Sequence, residues 1–212
     1  MNIKANISNI LNDLDNQIQL VAVSKTKPNN YILEAYQAGQ RIFGENKVQE
    51  LVEKYNILPN DIKWHMIGHL QTNKVKYIAP FVSLIHSVDS KKLLIEIDKR
   101  AKQNNRVIHC LLQINIAQES TKFGLNENEV LELLEMNLSN ISIDGLMGMA
   151  TFTDDKQQIR REFKSLKNTF EKFKRKFNKL FILSMGMSGD YDIAIEEGSN
   201  MIRIGSSIFG SR

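Results

Sequence analysis

Short apolar runs alternate along this chain with longer stretches of helical periodicity. The runs fall at residues 20–24, 41–44, 63–67, 83–87, 106–115, 141–147, 181–184 and 201–205, each bounded by polar or turn-forming residues. Runs of this length and composition are strand-like. Between them apolar positions recur at helical spacing, and one further amphipathic helix is predicted before the first run. The repeat averages about 26 residues, the size of a strand-plus-helix unit. Eight such units predict an α/β protein, a single (β/α)8 TIM barrel of parallel strands ringed by helices.

The 212 residues include only three prolines and no Gly/Ser-rich or low-complexity stretch. No linker is predicted, so residues 1–212 are read as one domain with one large core. A net charge of +4 suits a phosphorylated small ligand and lacks the dense basic tracts of nucleic-acid binders. The single cysteine, Cys110, has no internal disulfide partner, which fits a reducing compartment. Lys4, Asp13 and Asp15 interrupt the first twenty residues, and no apolar run reaches membrane-spanning length. A cytoplasmic protein without membrane or nucleic-acid partners is expected.

The first strand ends in Val23-Ser24-Lys25-Thr26-Lys27-Pro28. In a barrel of this type the C-terminal strand ends carry the chemistry. A lysine amine held there in a partly apolar pocket loses some of its proton and can form a Schiff base with an aldehyde. Pyridoxal 5′-phosphate (PLP) is the aldehyde that fits. Taken alone, Lys25 reads more simply as a solvated residue at a strand end.

Two later segments change that balance. Ser184-Met185-Gly186-Met187-Ser188-Gly189-Asp190 follows the seventh run, and Arg203-Ile204-Gly205-Ser206-Ser207-Ile208-Phe209-Gly210 contains the end of the eighth. Each reads as a strand, small residues and a helix start, so backbone N–H groups and serine hydroxyls can surround a phosphate. Simple helix capping by Ser188 or Ser206 is the alternative for either loop by itself. Strand alternation puts Val21, Val23 and Lys25 on one face, and Met201, Arg203 and Gly205 on one face. If both faces point inward, Lys25 and Arg203 meet across neighbouring strands. A guanidinium against a pyridine nitrogen keeps its own proton and leaves that nitrogen unprotonated, which weakens the ring as an electron sink.

The segments VAVSKTKP, FGENKVQE, WHMIGHLQTNK, HSVDS, ESTKFG, GLMGM and LSMGMSGDYDIAIEEGSNMIRIGSSIFG, in this order, closely resemble the pyridoxal phosphate homeostasis protein family. That family is related to the N-terminal barrel of alanine racemases, PLP fold type III. The likeness runs from about residue 20 to 210, and its specificity lies in the order and spacing of short pieces. It implies that Lys25 carries PLP as a Schiff base and that Arg203 faces the pyridine nitrogen. It further implies that Ser188, Gly205 and Ser206 hold the phosphate and that Asn46 lines the pocket near the ring. Asn200 and Ser206 stand where the family often has threonine; Ser206 keeps the hydroxyl.

Other features have simpler readings. His65 and His69 lack the intervening glutamate of a zinc protease, so packing or pocket lining is expected and no metal is assigned. Phe163, Leu166, Phe170, Phe173, Phe177 and Leu180, interspersed with lysines, could suit a membrane or an acidic partner. Packing of that stripe on the barrel is the expected outcome. Lys122 follows the fifth strand and reads as a loop lysine that could overhang the mouth.

The functional expectation is a PLP carrier that stores, buffers or delivers the cofactor, with apo-forms of PLP-dependent enzymes as recipients. No catalytic residue is assigned. In the resembling racemases a second acid/base comes from an additional C-terminal domain of a partner subunit; no such domain is expected here, and a monomer is expected with it. The rivals are a weak PLP-dependent amino-acid racemase and a PLP-regulated interaction module.

Overall fold

A computed structural model describes residues 2–117 and 124–210. Eight parallel strands close into a barrel in sequential order. The chain enters through helix α1 (Ile3–Asp13), whose Asn2 cap accepts from the Ala5 N–H at 2.9 Å and whose Ile3, Ile7 and Ile10 turn inward. The units that follow are β1 (Gln19–Val23), α2 (Asn29–Gln37), β2 (Ile42–Glu45), α3 (Val48–Ile57), β3 (Lys63–Met66) and α4 (Val75–Ile78), then β4 (Leu84–Val88), α5 (Lys91–Gln103) and β5 (Ile108–Gln113). The chain continues through α6 (Glu127–Glu135), β6 (Ile141–Met147), α7 (Lys156–Lys176), β7 (Ile182–Met187), α8 (Tyr191–Glu196), β8 (Met201–Ile204) and α9 (Ser206–Phe209). Pro28 stands at the N-cap of α2.

Pairing of β1 with β8 closes the barrel in the register Gln19↔Met201, Leu20↔Ile202, Val21↔Arg203 and Ala22↔Ile204. Side-chain alternation divides the apolar residues into two layers. Val21, Leu84, Leu111, Met147, Ile182 and Met201 fill the barrel interior. Ala22, Phe43, Trp64, Ile85, Cys110, Leu146 and Ile204 pack outward against the helices. Each fully buried Leu, Ile or Phe of these layers contributes about 1.5–3 kcal/mol through the water it sheds.

Two expectations needed adjusting. The seventh strand runs on past Ser184 to Met187, because a register shift against β8 and a left-handed Gly186 (φ +96°) let the chain stay extended where small residues had suggested a loop. A side chain at Gly186 would stand 2.6 Å from the Ala194 Cβ, so only glycine fits. The run at 106–115 shortens to β5, because Arg106 turns aside to donate to the carbonyls of Ala79 (2.6 Å) and Val82 (2.8 Å).

Helix α7 buries Ile159, Phe163, Leu166, Phe170 and Phe173, while its lysines pair with glutamates: Lys172 with Glu127 and Lys176 with Glu135, both at 2.6 Å. The Phe stripe is therefore covered by the barrel and is not presented to a membrane or a partner. Among the described residues, no helix is long and apolar enough to cross a membrane.

Candidate functional site

A cavity of about 680 Å³ opens at the C-terminal ends of the strands. That volume is ordinary for a small-molecule site. Lys25, Asn46, Ser188, Arg203, Gly205 and Ser206 all line it, with Val23, Ile67, Met149 and Met187 among its apolar walls. The structure thus brings together every site residue singled out in the sequence, and Lys122 lies outside the described residues.

Lys25 sits half-buried in the turn after β1, which closes when the Lys27 N–H donates to the Ser24 carbonyl at 3.0 Å. Thr26 takes φ +63°, a left-handed conformation that β-branched residues rarely adopt. Its N–H donates to Glu50 Oε1 at 2.6 Å. Lys27 is turned toward the C-terminal segment, donating from Nζ to the Gly210 carbonyl at 2.9 Å. Asn46 is set by contact with the next loop, since a Cβ on Gly68 would lie 2.5 Å from the Asn46 carbonyl oxygen.

On the opposite wall the loops after β7 and β8 are tied to each other. The Gly205 N–H donates to Ser188 Oγ at 3.2 Å, so Ser188 braces the second loop instead of capping its own helix. Asp190 Oδ1 accepts the Met187 N–H at 2.5 Å and tightens the first loop. Gly205 runs against β1, where a Cβ would meet the Val23 carbonyl oxygen at 3.2 Å. At Gly189 nothing stands within 4 Å of where a Cβ would be. The two loops leave glycine backbone and serine hydroxyls on one side of the cavity. Asn200, by contrast, lies at the other end of the barrel, accepting the Leu183 N–H at 2.8 Å and donating to the Phe181 carbonyl at 2.6 Å.

Arg203 reaches the cavity floor from inside the barrel and is 4% exposed. It donates from Nη1 to Ser184 Oγ at 2.5 Å and from Nη2 to the Gly148 carbonyl at 3.1 Å. Burial lowers its pKa to about 10, which leaves it protonated at neutral pH. A guanidinium has five N–H donors, so others remain for a ligand.

The sequence reading did not anticipate the polar layer behind Arg203. His86 Nδ1 lies 3.2 Å from Ser184 Oγ, and His86 Nε2 lies 3.0 Å from His65 Nδ1. With Ser184 accepting from Arg203, one tautomer completes the chain: the Ser184 hydroxyl donates to His86 Nδ1, and His86 Nε2–H donates to His65 Nδ1. This order requires both imidazoles to be neutral. Burial, then the charge of Lys63, lowers the His65 pKa to about 3; burial, then His65 and Arg203, holds His86 well below its ordinary value. His69 stands apart, with Nδ1 3.0 Å from Asp89.

The sign of the resulting pH dependence follows from these depressed values. Each histidine is uncharged in the fold and takes up a proton on unfolding below its ordinary pKa, so its stabilisation is present above about pH 6.5 and is lost as the pH falls. Between pH 7 and 5 His65, with its folded value at about 3, costs about 2 kcal/mol. Urea unfolding of His65→Gln beside wild type should therefore give a shallower decline across that window; parallel curves would show that His65 does not titrate in this way.

A family model for the alanine racemase N-terminal domain matches residues 1–212. The pyridoxal phosphate homeostasis protein of Aquifex aeolicus is 43% identical over 202 residues, covering 93% of this chain and 89% of that protein. Its counterpart from Vibrio alginolyticus is 41% identical, covering 92% and 87%. The structure of PipY from Synechococcus elongatus with PLP bound superposes with a TM-score of 0.89 at 33% identity, covering 98% of this chain and all (100%) of that one. An alanine racemase from Clostridium difficile shares the fold alone, with a TM-score of 0.80 at 18% identity over 56% of its length. The chain belongs to the pyridoxal phosphate homeostasis protein family, built on the alanine racemase N-terminal domain.

Proposed function

We propose that this chain binds pyridoxal 5′-phosphate in the cavity at the strand ends and serves its homeostasis, holding the cofactor and releasing it to apo-enzymes. The observation that carries this reading is the convergence of Lys25, Arg203 and the Ser188 and Gly205–Ser206 loops on one cavity of about 680 Å³. The residues fit the group: a primary amine on one wall, a buried guanidinium on the floor, glycine backbone with open space at Gly189, and apolar sides.

When bound, the cofactor supplies an aldehyde carbon open to an amine. Lys25 would hold that carbon. Asn46 and the apolar wall would lie against the ring, while Ser188, Gly205 and Ser206 would hold the phosphate. Arg203, which stays protonated, would face the ring nitrogen as a donor without passing its proton on. It would thereby withhold the electron withdrawal that removal of an amino-acid α-proton needs.

A carrier is favoured over a racemase by the lining itself. Racemisation needs acid/base groups on both faces of the α-carbon. Among the described residues, the ionisable lining consists of Lys25, Lys27, Asp154, Asp190 and Arg203, with no tyrosine or histidine. Asp190 is engaged by the Met187 N–H, and Asp154 is exposed in the loop after β6.

The expected outcome is that PLP-loaded protein restores activity to a PLP-dependent apo-enzyme. It should show no multiple-turnover loss of the α-proton from any proteinogenic L-amino acid in D₂O. Chiral analysis decides the rival: accumulating D-amino acid that disappears with Lys25→Ala would establish the racemase.

A further inference from the structure

A buried ionic cluster holds the Lys25 turn from the side away from the cavity. Glu45 closes β2 on the face opposite Gly44 and is 0% exposed; Lys54 on α3 is 5% exposed. Lys54 Nζ donates to the Ser24 carbonyl at 2.8 Å, to Glu45 Oε1 at 2.8 Å and to Glu50 Oε1 at 2.6 Å. An ammonium has three donors, and all three are committed. Ser24 Oγ also donates to Glu45 Oε1 at 2.6 Å, and the Thr26 N–H donates to Glu50 Oε1 at 2.6 Å. The residues on both sides of Lys25 are therefore tied to one ammonium, directly or through one carboxylate.

This is an expensive way to fill a barrel wall. Both charges lose their water, and well-packed apolar side chains stabilise such a place equally well or better. Glu45 Oε2 is buried with no hydrogen-bond partner among the described residues, and burial raises the pKa of that carboxyl. The Thr26 backbone adds strain, since its φ of +63° persists only where the surroundings over-determine it. These costs converge on a single turn, whose second residue is Lys25.

We propose that Lys54, acting with Glu45 and Glu50, is the positioning residue for Lys25: it fixes the Ser24–Lys27 turn so that the Lys25 amine is presented to a phosphorylated aldehyde in the cavity. The inference rests on the reading of Lys25 as the anchoring amine, and adds where its precision comes from. Reactions of a held amine with a bound carbonyl are sensitive to misplacements near 1 Å, which can cost on the order of a hundredfold.

Two ligands separate positioning from general support of the pocket. PLP carries the ring, phosphate and aldehyde; 4′-deoxypyridoxine 5′-phosphate carries the ring and phosphate only. Lys54→Met alone would strand Glu45, so it is combined with Glu45→Gln, which keeps an acceptor for Ser24 Oγ. The rate of PLP capture, followed by absorbance, should fall about tenfold to a hundredfold. Calorimetric affinity for 4′-deoxypyridoxine 5′-phosphate should stay within about twofold of wild type, less than 0.5 kcal/mol. Glu50→Gln, at the partly exposed end of the cluster, should show the same split with a loss of about threefold to tenfold, and it carries the test if the double variant does not fold. Equal losses for both ligands, or unchanged capture, would overturn the positioning role. Wild-type protein that captures no PLP would overturn the anchoring assignment itself, a result distinct from unchanged capture in the variants.

Discussion

Lys25→Ala protein should purify folded and colourless, with no visible absorption from PLP and no adduct after borohydride reduction. The side chain lies beyond the last residue of β1, half-buried at the cavity wall, and belongs to neither apolar layer of the barrel. Its truncation removes no core packing, so thermal unfolding should move by about 0.5 kcal/mol or less. Lys27 does not substitute, because its Nζ is held on the Gly210 carbonyl at 2.9 Å, aimed at the C-terminal segment. What survives is the non-covalent contribution of Arg203 and the two loops. Absorbance and mass spectrometry of the reduced variant check this directly; a visible band of wild-type strength would remove Lys25 from the site.

Pyridoxal, lacking the phosphate, should bind about a hundredfold to ten-thousandfold more weakly than PLP. Charge-assisted hydrogen bonds are worth about 1.5–3 kcal/mol each, and the Ser188 and Gly205–Ser206 loops offer at least two of them to an anion. The Gly205 N–H is given to Ser188 Oγ, which ties the two loops together before a ligand arrives, so little ordering is needed on binding. Ser206 is exposed at the first position of α9 and lines the cavity. Ser206→Ala should remove one of the donors and weaken PLP binding about tenfold to a hundredfold, leaving pyridoxal affinity unchanged. Titration of both ligands against both proteins checks this. Equal affinities for PLP and pyridoxal would show that the loops hold no phosphate.

The barrel was legible because parallel strands buried on both faces leave short runs dominated by apolar residues, such as Leu20-Val21-Ala22-Val23, repeated at the spacing of a strand-plus-helix unit. The site was legible for a related reason. In this architecture chemistry gathers at the C-terminal strand ends, so Lys25, Ser188, Arg203, Gly205 and Ser206 could be collected without knowing any contact, while Asn46 came from the family resemblance alone. The end of β7 was not legible, since Met185-Gly186-Met187 continues the strand only through the positive φ of Gly186 and a shifted register.

The polar interior layer was within reach of strand parity. His86, Ser184 and Arg203 each stand two residues beyond the interior Leu84, Ile182 and Met201 on their own strands. Counting onward from those apolar positions would have found the chain of hydrogen bonds behind Arg203. The Glu45–Lys54 pair carried no such signal. Glu45 beside Asn46 resembles a solvated mouth residue, and Lys54 resembles an ordinary surface lysine of α3, until strand and helix are packed together.

Reduction of PLP-loaded wild-type protein with borohydride, followed by peptide mapping, tests the central claim most directly. A stoichiometric pyridoxyl group on Lys25 is the predicted result. A label found chiefly on Lys27 or on another lysine, or no label despite tight PLP binding, would contradict it.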